Sequence, residues 1–395
     1  MQNTSSQRPT ATSTFRGSAK LPSKNTTKVL LLSLCLCLYL LGSWALSNSV
    51  IHDNSGKDME IECNLPRRQE LQSTRTDFYD FSFLCQDPAV SYLQVVGESQ
   101  EQLQQNHGLK TSPKILCVVL TQTKNHDTRL QALIDTWGRK CDKLIAASDS
   151  TDPKLSAVKI ESMEGFWGIW DKLLQTLKMV LQNEEIRKED YDWILKADDD
   201  TYVIMENLKS FAANISKDVD MDEPLIYGRT IPWPLTLFKE MKNWFSADLN
   251  KEFGQRFYAK IPEAETLRFS HGGPGYFMNW KYVESLVNAY FHTPDAVHGE
   301  VAEDIANAMT MRYHDVRQRG TVDVETGRER MHPESPQTMY TNPLWLGKMH
   351  HGIKESLGDG IECCSPTSIS FHYVSDVQMR ILDYQLYQCP VAVKR

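Results

Sequence analysis

Residues 191–203 read YDWILKADDDTYV. An apolar run led by aromatic residues stops at Asp198, Asp199 and Asp200, and a β-prone run follows. The run 192–197 has the composition of a strand buried on both faces. Three adjacent carboxylates repel one another, and a divalent cation is the usual means of neutralising them. Oxygen ligands suit Mg²⁺ or Mn²⁺, and an added imidazole favours Mn²⁺. Such ions are commonly held by one or two carboxylates together with substrate phosphates. The triplet therefore points to a phosphate-bearing ligand. A solvated acidic turn or a helix N-cap is the blander reading, and the preceding buried strand argues against it.

The neighbouring segments extend the pattern. "KILCVVL" (114–120) and "KLIAAS" (143–148) read as buried strands, "HDTRLQALIDTWG" (126–138) as a helix, and "WGIWDKLLQTLKMVLQN" (167–183) as a long amphipathic helix. Strand, helix, strand, helix, strand predicts a parallel α/β sheet with right-handed crossovers. Ligands of such sheets bind outside the carboxyl ends of the strands, where the aspartates fall. Further on, 279–291 and 303–313 read as helices, 368–374 as a strand and 378–388 as a closing helix. Residues 231–268 show no clean period, and 320–366 read as loops over the sheet. Trp137 and Trp193 read as core.

The amino-terminal end has a different character. Residues 1–28 carry Arg8, Arg16, Lys20, Lys24 and Lys28 and no acid, and residues 29–46 carry no charge. Eighteen uncharged residues at about 1.5 Å each just span a bilayer, and the basic flank predicts a cytoplasmic amino terminus. The expected organisation is a tail (1–28), a transmembrane signal anchor (29–46), a lumenal stem (47–110) and a catalytic domain (111–395). A cleaved signal peptide is the alternative. Of nine cysteines, Cys35 and Cys37 fall in the span and seven lie beyond it. An oxidising lumen favours disulfides, and the odd number leaves one free or paired between chains. No cysteine or histidine spacing suits zinc. The net charge of −8, with no basic stripe, gives no footprint for a nucleic-acid partner. Asn214 opens a glycosylation sequon on the lumenal side.

Five motifs in order carry a resemblance: "LTQTKNHDTR…DTWGRKC" (120–141), "KADDDTYV" (196–203), "HGGPGYFM" (271–278), "AEDIANA" (302–308) and "CCSPTSISFHYV" (363–374). Together, across roughly 114–390, the chain resembles the core 1 β1,3-galactosyltransferases, relatives of the Fringe enzymes. The resemblance implies an α/β fold of the GT-A type, a Rossmann-like nucleotide-sugar-binding sheet. It implies Mn²⁺ as cofactor, UDP-galactose as donor and N-acetylgalactosamine on Ser or Thr of secretory glycoproteins as acceptor. The implied location is the Golgi membrane, single-pass type II, and a homodimer is permitted. Asp198, Asp200 and His372 are the implied metal ligands and Asp304 the catalytic base. Thr121, Glu164, Gly165, Lys172, Asp199 and Tyr373 are implied on the donor side, and Gly272, Gly273 and Trp345 near the sugars.

The chemistry fits these residue types. A metal offsets the charge of a departing diphosphate, a carboxylate takes the acceptor proton, and one displacement inverts the sugar. Three departures from the family pattern bear on donor and acceptor. Phe166 stands where the family has an arginine for the nucleotide. Ala296 and Thr310 stand where it has a cysteine pair. Residues 231–268 read as an insertion near the acceptor mouth. A different donor or acceptor, or a catalytically silent paralogue, is the alternative.

Overall fold

The computed structural model describes residues 50–52, 58–60, 85–96, 112–162, 168–234, 249–262, 265–299, 302–341 and 360–389. The chain divides into two units, 1–79 and 80–395. In the first, β1 (Val50–His52) and β2 (Asp58–Glu60) form an antiparallel hairpin. Among the described residues no helix is long and apolar enough to cross a membrane. The span expected at 29–46 lies outside them, as do Cys63, Glu164, Gly165, Phe166 and Trp345.

The second unit is built on a six-stranded sheet. Its strands are β3 (Ile115–Leu120), β4 (Lys143–Ser148), β5 (Ala157–Lys159), β6 (Trp193–Asp198), β8 (Ile226–Gly228) and β11 (Tyr276–Met278), in spatial order β5-β4-β3-β6-β11-β8. The first four run parallel, and β11 is antiparallel to both β6 and β8. The result is a mixed α/β fold with a parallel-rich central sheet. Every residue of β3 is buried, and successive side chains alternate between two cores. Ile115, Cys117 and Val119 join Trp193, Leu195 and Ala197 on one face. Leu116, Val118 and Leu120 join Ile194 on the other.

Helices cover both faces. Helix α1 (Ile169–Gln182) buries Trp170, Leu173, Leu174, Leu177 and Val180, the spacing of one helical stripe. It shares its core with α4 (Trp280–His292) and α5 (Glu303–Tyr313). The opposite face is covered by α2 (Met205–Ile215) and α6 (Asp376–Tyr387). A capping box at Ser375 and Gln378 sets the start of α6. Trp137 and Trp193 are fully buried.

Several elements differ from the sequence expectation. The 126–138 helix opens with a wide π-type turn, His126–Leu130, before one α-helical stretch, Gln131–Asp135. Residues 231–268 are not structureless. Strand β9 (Thr230–Pro234) pairs antiparallel with β10 (Thr266–Ser270), and α3 (Leu249–Lys260) lies between them. The strand expected over 368–374 is only β13 (Ser370–Phe371), which sits between β12 (Met331–His332) and β7 (Tyr202–Val203). Within 320–366, β12 and a short helix, Pro336–Thr341, interrupt the loops. Residues 85–96, inside the expected stem, pack on the body. Leu93 is buried, the Val96 amide donates to Asn207 Oδ1 at 2.8 Å, and Asn207 Nδ2 donates to the Gln94 carbonyl at 2.8 Å.

Three disulfides form among the described residues: Cys85–Cys389, Cys117–Cys141 and Cys363–Cys364. Ala296 and Thr310 are both buried, and beside them the Val297 amide donates to Thr310 Oγ1 at 3.0 Å. Cys117–Cys141 closes a loop between residues 24 apart, which corresponds to about 3 kcal/mol of loop-closure entropy. The double variant Cys117→Ala/Cys141→Ala is expected to lose stability of about that size, read as a lower midpoint in denaturant unfolding, with a slope that rises as the released denatured chain exposes more surface.

Candidate active site

The sheet delivers the aspartates to its carboxyl edge. Strand β6 ends at Asp198, and the neighbouring β3 ends at Leu120, whose carbonyl accepts from the Asp199 amide at 3.2 Å. The turn is closed from below: the Thr201 hydroxyl donates to the Gly273 carbonyl at 2.7 Å, and the indole of Trp137 donates to the Thr201 carbonyl at 2.9 Å. The Val374 amide donates to the Asp200 carbonyl at 2.9 Å, which brings the segment after β13 alongside.

Asp198, Asp200 and His372 converge so that one ligand atom of each lies within 4.8 Å of the others. His372 Nε2 is 3.1 Å from Asp200 Oδ1 and 4.0 Å from Asp198 Oδ2. An octahedral ion with bonds near 2.1 Å needs neighbouring ligands about 3 Å apart and opposite ones about 4 Å apart. The spacing and the donor set, two carboxylates and one imidazole, fit a divalent cation. Asp199 is spent differently. Its Oδ2 accepts from Thr121 Oγ1 at 2.6 Å and Asn125 Nδ2 at 2.8 Å, and its Oδ1 is 3.4 Å from Arg129 Nη1. Burial pushes the Asp199 carboxyl up, opposed by those two hydrogen bonds. Burial opposes ionisation of Asp200 too, but His372 and Arg129 outweigh it and hold the group low.

Thr121 and Lys172 extend this edge. Lys172 Nζ donates to the Thr121 carbonyl at 3.0 Å, and burial lowers its pKa. Tyr373 takes a left-handed backbone, φ 52°, and is 57% exposed, with its ring beside that of His372. That combination presents a flat apolar face outward at the mouth of the site.

The loop "HGGPG" is pressed against the site's own side chains. Gly273 has no room for a Cβ, which would lie 2.5 Å from Cε1 and 2.8 Å from Cγ of His372. Gly275 takes φ 83°, a region natural to glycine. The Gly272 amide donates to Asp304 Oδ2 at 3.1 Å, and the Ile305 amide donates to Asp304 Oδ1 at 2.9 Å. Asp304 thus sits in the first turn of α5, where the helix dipole favours a negative charge. Burial pushes its pKa up, and the Gly272 and Ile305 amides oppose this. A carboxylate so placed can accept a proton.

Beneath the loop lies a group that the motif reading did not single out. Lys196 is fully buried and sits 2.9 Å from Asp198 Oδ1, 3.2 Å from Glu303 Oε2 and 3.0 Å from the Gly272 carbonyl. Burial alone would strip its charge, but Asp198 and Glu303 hold the ammonium protonated. Tyr276 donates its phenol to Glu303 Oε1. The signal was in the sequence: one lysine inside an otherwise apolar buried strand, "WILKA". A buried charge must be paired. Asn125, just before the wide turn His126–Leu130, and Arg129, within it, were also missed as partners of the aspartates.

The structure therefore joins Thr121, Lys172, Asp198, Asp199, Asp200, Gly272, Gly273, Asp304, His372 and Tyr373 in one connected edge. Asn214 lies elsewhere. It is exposed in the last turn of α2, and the adjacent Ser216 Oγ accepts from the indole of Trp193, at the far end of β6 from the aspartates.

Comparison with known proteins gives the family of the chain. A family model described as Fringe-like matches residues 110–311, just over half of the 395 residues. The chain is 27% identical over 283 residues to glycoprotein-N-acetylgalactosamine 3-beta-galactosyltransferase 1 of Xenopus laevis, covering 71% of this chain and 68% of that protein.

Proposed function

The chain is a glycosyltransferase of the Fringe-like family, and from that premise we propose that it transfers galactose from UDP-galactose to N-acetylgalactosamine on Ser or Thr of glycoproteins, with inversion. The fold is read as GT-A, with the donor lying across the carboxyl edge of β3 and β6. The observation that carries the reading is the convergence of Asp198, Asp200 and His372 one loop away from Asp304.

Mn²⁺ is the proposed cofactor, with Asp198, Asp200 and His372 as its protein ligands. Such an ion supplies Lewis acidity and counter-charge for a departing diphosphate. The chain's own residues do the rest. Asp304, fixed by two backbone amides, accepts the proton of the acceptor hydroxyl. The acceptor oxygen bonds to the anomeric carbon as the bond from that carbon to the phosphate oxygen breaks, and UDP leaves. Lys172 and the Thr121–Asp199 pair shape the donor edge, with Glu164 and Gly165 proposed beside them. Tyr373 offers a stacking face to the nucleotide. Gly272, Gly273 and Trp345 are proposed near the sugars. The protein is read as a type II Golgi membrane enzyme, anchored by 29–46, with an N-glycan on Asn214 and a homodimer as its assembly.

A second reading keeps the class and changes the donor or acceptor. It is favoured by Phe166 and by the β9–α3–β10 excursion, which attaches beside the glycine loop: the His271 amide donates to the Arg229 carbonyl at 2.9 Å. One assay tests both. The full chain in detergent is given Mn²⁺, a panel of UDP-sugars and a panel of glycan acceptors that includes GalNAc-peptides and glycolipids, with and without chelator. Galactose transfer that chelator abolishes is the expected result. Transfer from another donor alone, or to another acceptor alone, establishes the second reading. No transfer by a folded protein identifies a silent paralogue.

A further inference from the structure

Each of the two carboxylates facing His372 has one oxygen occupied by a basic side chain on its outer side. Asp198 Oδ1 is 2.9 Å from Lys196 Nζ, while its Oδ2 faces His372. Asp200 Oδ2 is 3.3 Å from Arg129 Nη1, while its Oδ1 faces His372. We propose that Lys196 and Arg129 are paired positioning residues that hold Asp198 and Asp200 to one offered oxygen each, and that this makes the site prefer Mn²⁺ to Ca²⁺. The inference rests on the reading of Asp198, Asp200 and His372 as cation ligands and deepens it.

Each cation is tied to more than one acceptor. Lys196 is fully buried, and its ammonium has three acceptors for three protons: Asp198, Glu303 and the Gly272 carbonyl. Arg129 Nη1 bridges Asp200 and Asp199 Oδ1. Asp199 has its other oxygen filled by Thr121 and Asn125. The middle acid is thereby withheld as a ligand altogether. The protein then offers two single carboxylate oxygens and one nitrogen, and the remaining positions of an octahedron stay open to a diphosphate. Calcium takes six to eight oxygens at longer distances and uses two-oxygen carboxylate contacts, whereas smaller ions accept one oxygen from each carboxylate. Releasing the outer oxygens should therefore help Ca²⁺ more than Mn²⁺.

The test is the ratio of Mn²⁺ to Ca²⁺ affinity, measured on the full chain in detergent with the metal chlorides and saturating UDP, because the diphosphate fills the positions the protein leaves open. Mn²⁺ is read by electron paramagnetic resonance titration and Ca²⁺ by competition. Removing a positive charge shifts both affinities alike, so the ratio isolates the geometric effect. Arg129→Met, at a side chain 43% exposed, is expected to narrow the wild-type preference for Mn²⁺ by about tenfold, the low end of effects seen for groups behind metal ligands. Arg129→Lys is expected to restore it. Lys196→Met paired with Glu303→Gln removes the buried charge pair together and should narrow the ratio too. An unchanged ratio in Arg129→Met, with wild-type Mn²⁺ binding intact, overturns the positioning claim alone. A wild-type chain that binds neither ion overturns the ligand reading and the inference with it.

Discussion

Asp304→Asn is expected to retain UDP binding and to lose transfer by about 10²- to 10⁴-fold, the range attributed to a positioned general base. Both oxygens of Asp304 accept from backbone amides, of Gly272 and Ile305. Asparagine keeps the size and one acceptor oxygen, so the loop and α5 stay in place. Its amide group, however, faces a backbone donor, and an unmatched donor pair costs about 1–3 kcal/mol. The variant should therefore melt lower while still folding. The lost chemistry is separate from that cost: an amide cannot take a proton from an attacking hydroxyl. The measurement is transfer rate beside UDP affinity by calorimetry. Normal transfer in Asp304→Asn places the base elsewhere; lost UDP affinity assigns the residue to donor binding.

Gly273→Ala is the second large effect. The added methyl would occupy space that the His372 ring fills. The ring cannot simply back away. The His372 amide donates to the His332 carbonyl at 3.0 Å, and Tyr373 lies against its ring at a centroid distance of 3.9 Å. The imidazole must turn off the point where it meets Asp198 and Asp200. Mn²⁺-supported UDP binding is expected to fall by about 10- to 100-fold, with transfer falling in parallel. Gly254→Ala provides the control. That glycine lies within α3 with nothing within 4 Å of its would-be Cβ, and alanine there should be neutral or stabilise by about 0.5–1 kcal/mol. If Gly273→Ala binds UDP with Mn²⁺ as tightly as Gly254→Ala does, His372 is not a ligand.

The sheet was legible because its central strands are buried on both faces, which leaves runs such as 115–120 and 144–147 without a polar residue. Helix α5 was legible in full, from Glu303 to Tyr313. The three aspartates announced a site through simple repulsion, and only the family resemblance set Asp199 apart from Asp198 and Asp200. Asp199 is occupied by Thr121 and Asn125, 78 and 74 residues earlier in the chain, and no local pattern encodes such a pairing. Lys196 left a local mark, a charge inside an apolar strand, and its meaning depends on Glu303, which arrives from another helix. The excursion between β9 and β10 hid a helix. Phe253, Phe257 and Ile261 repeat at intervals of four and are all buried, yet prolines and aromatics on the amino-terminal side mask the period. The strand expected through His372 ends at Phe371 because Tyr373 turns left-handed, a conformation that a tyrosine does not advertise.

Cys85 and Cys389 bring the two ends of the body to one place, with Cα atoms 5.5 Å apart. The polypeptide enters and leaves at a single corner, stapled there. Traction applied from the amino-terminal side is passed through that covalent link to the last helix and bypasses the sheet edge.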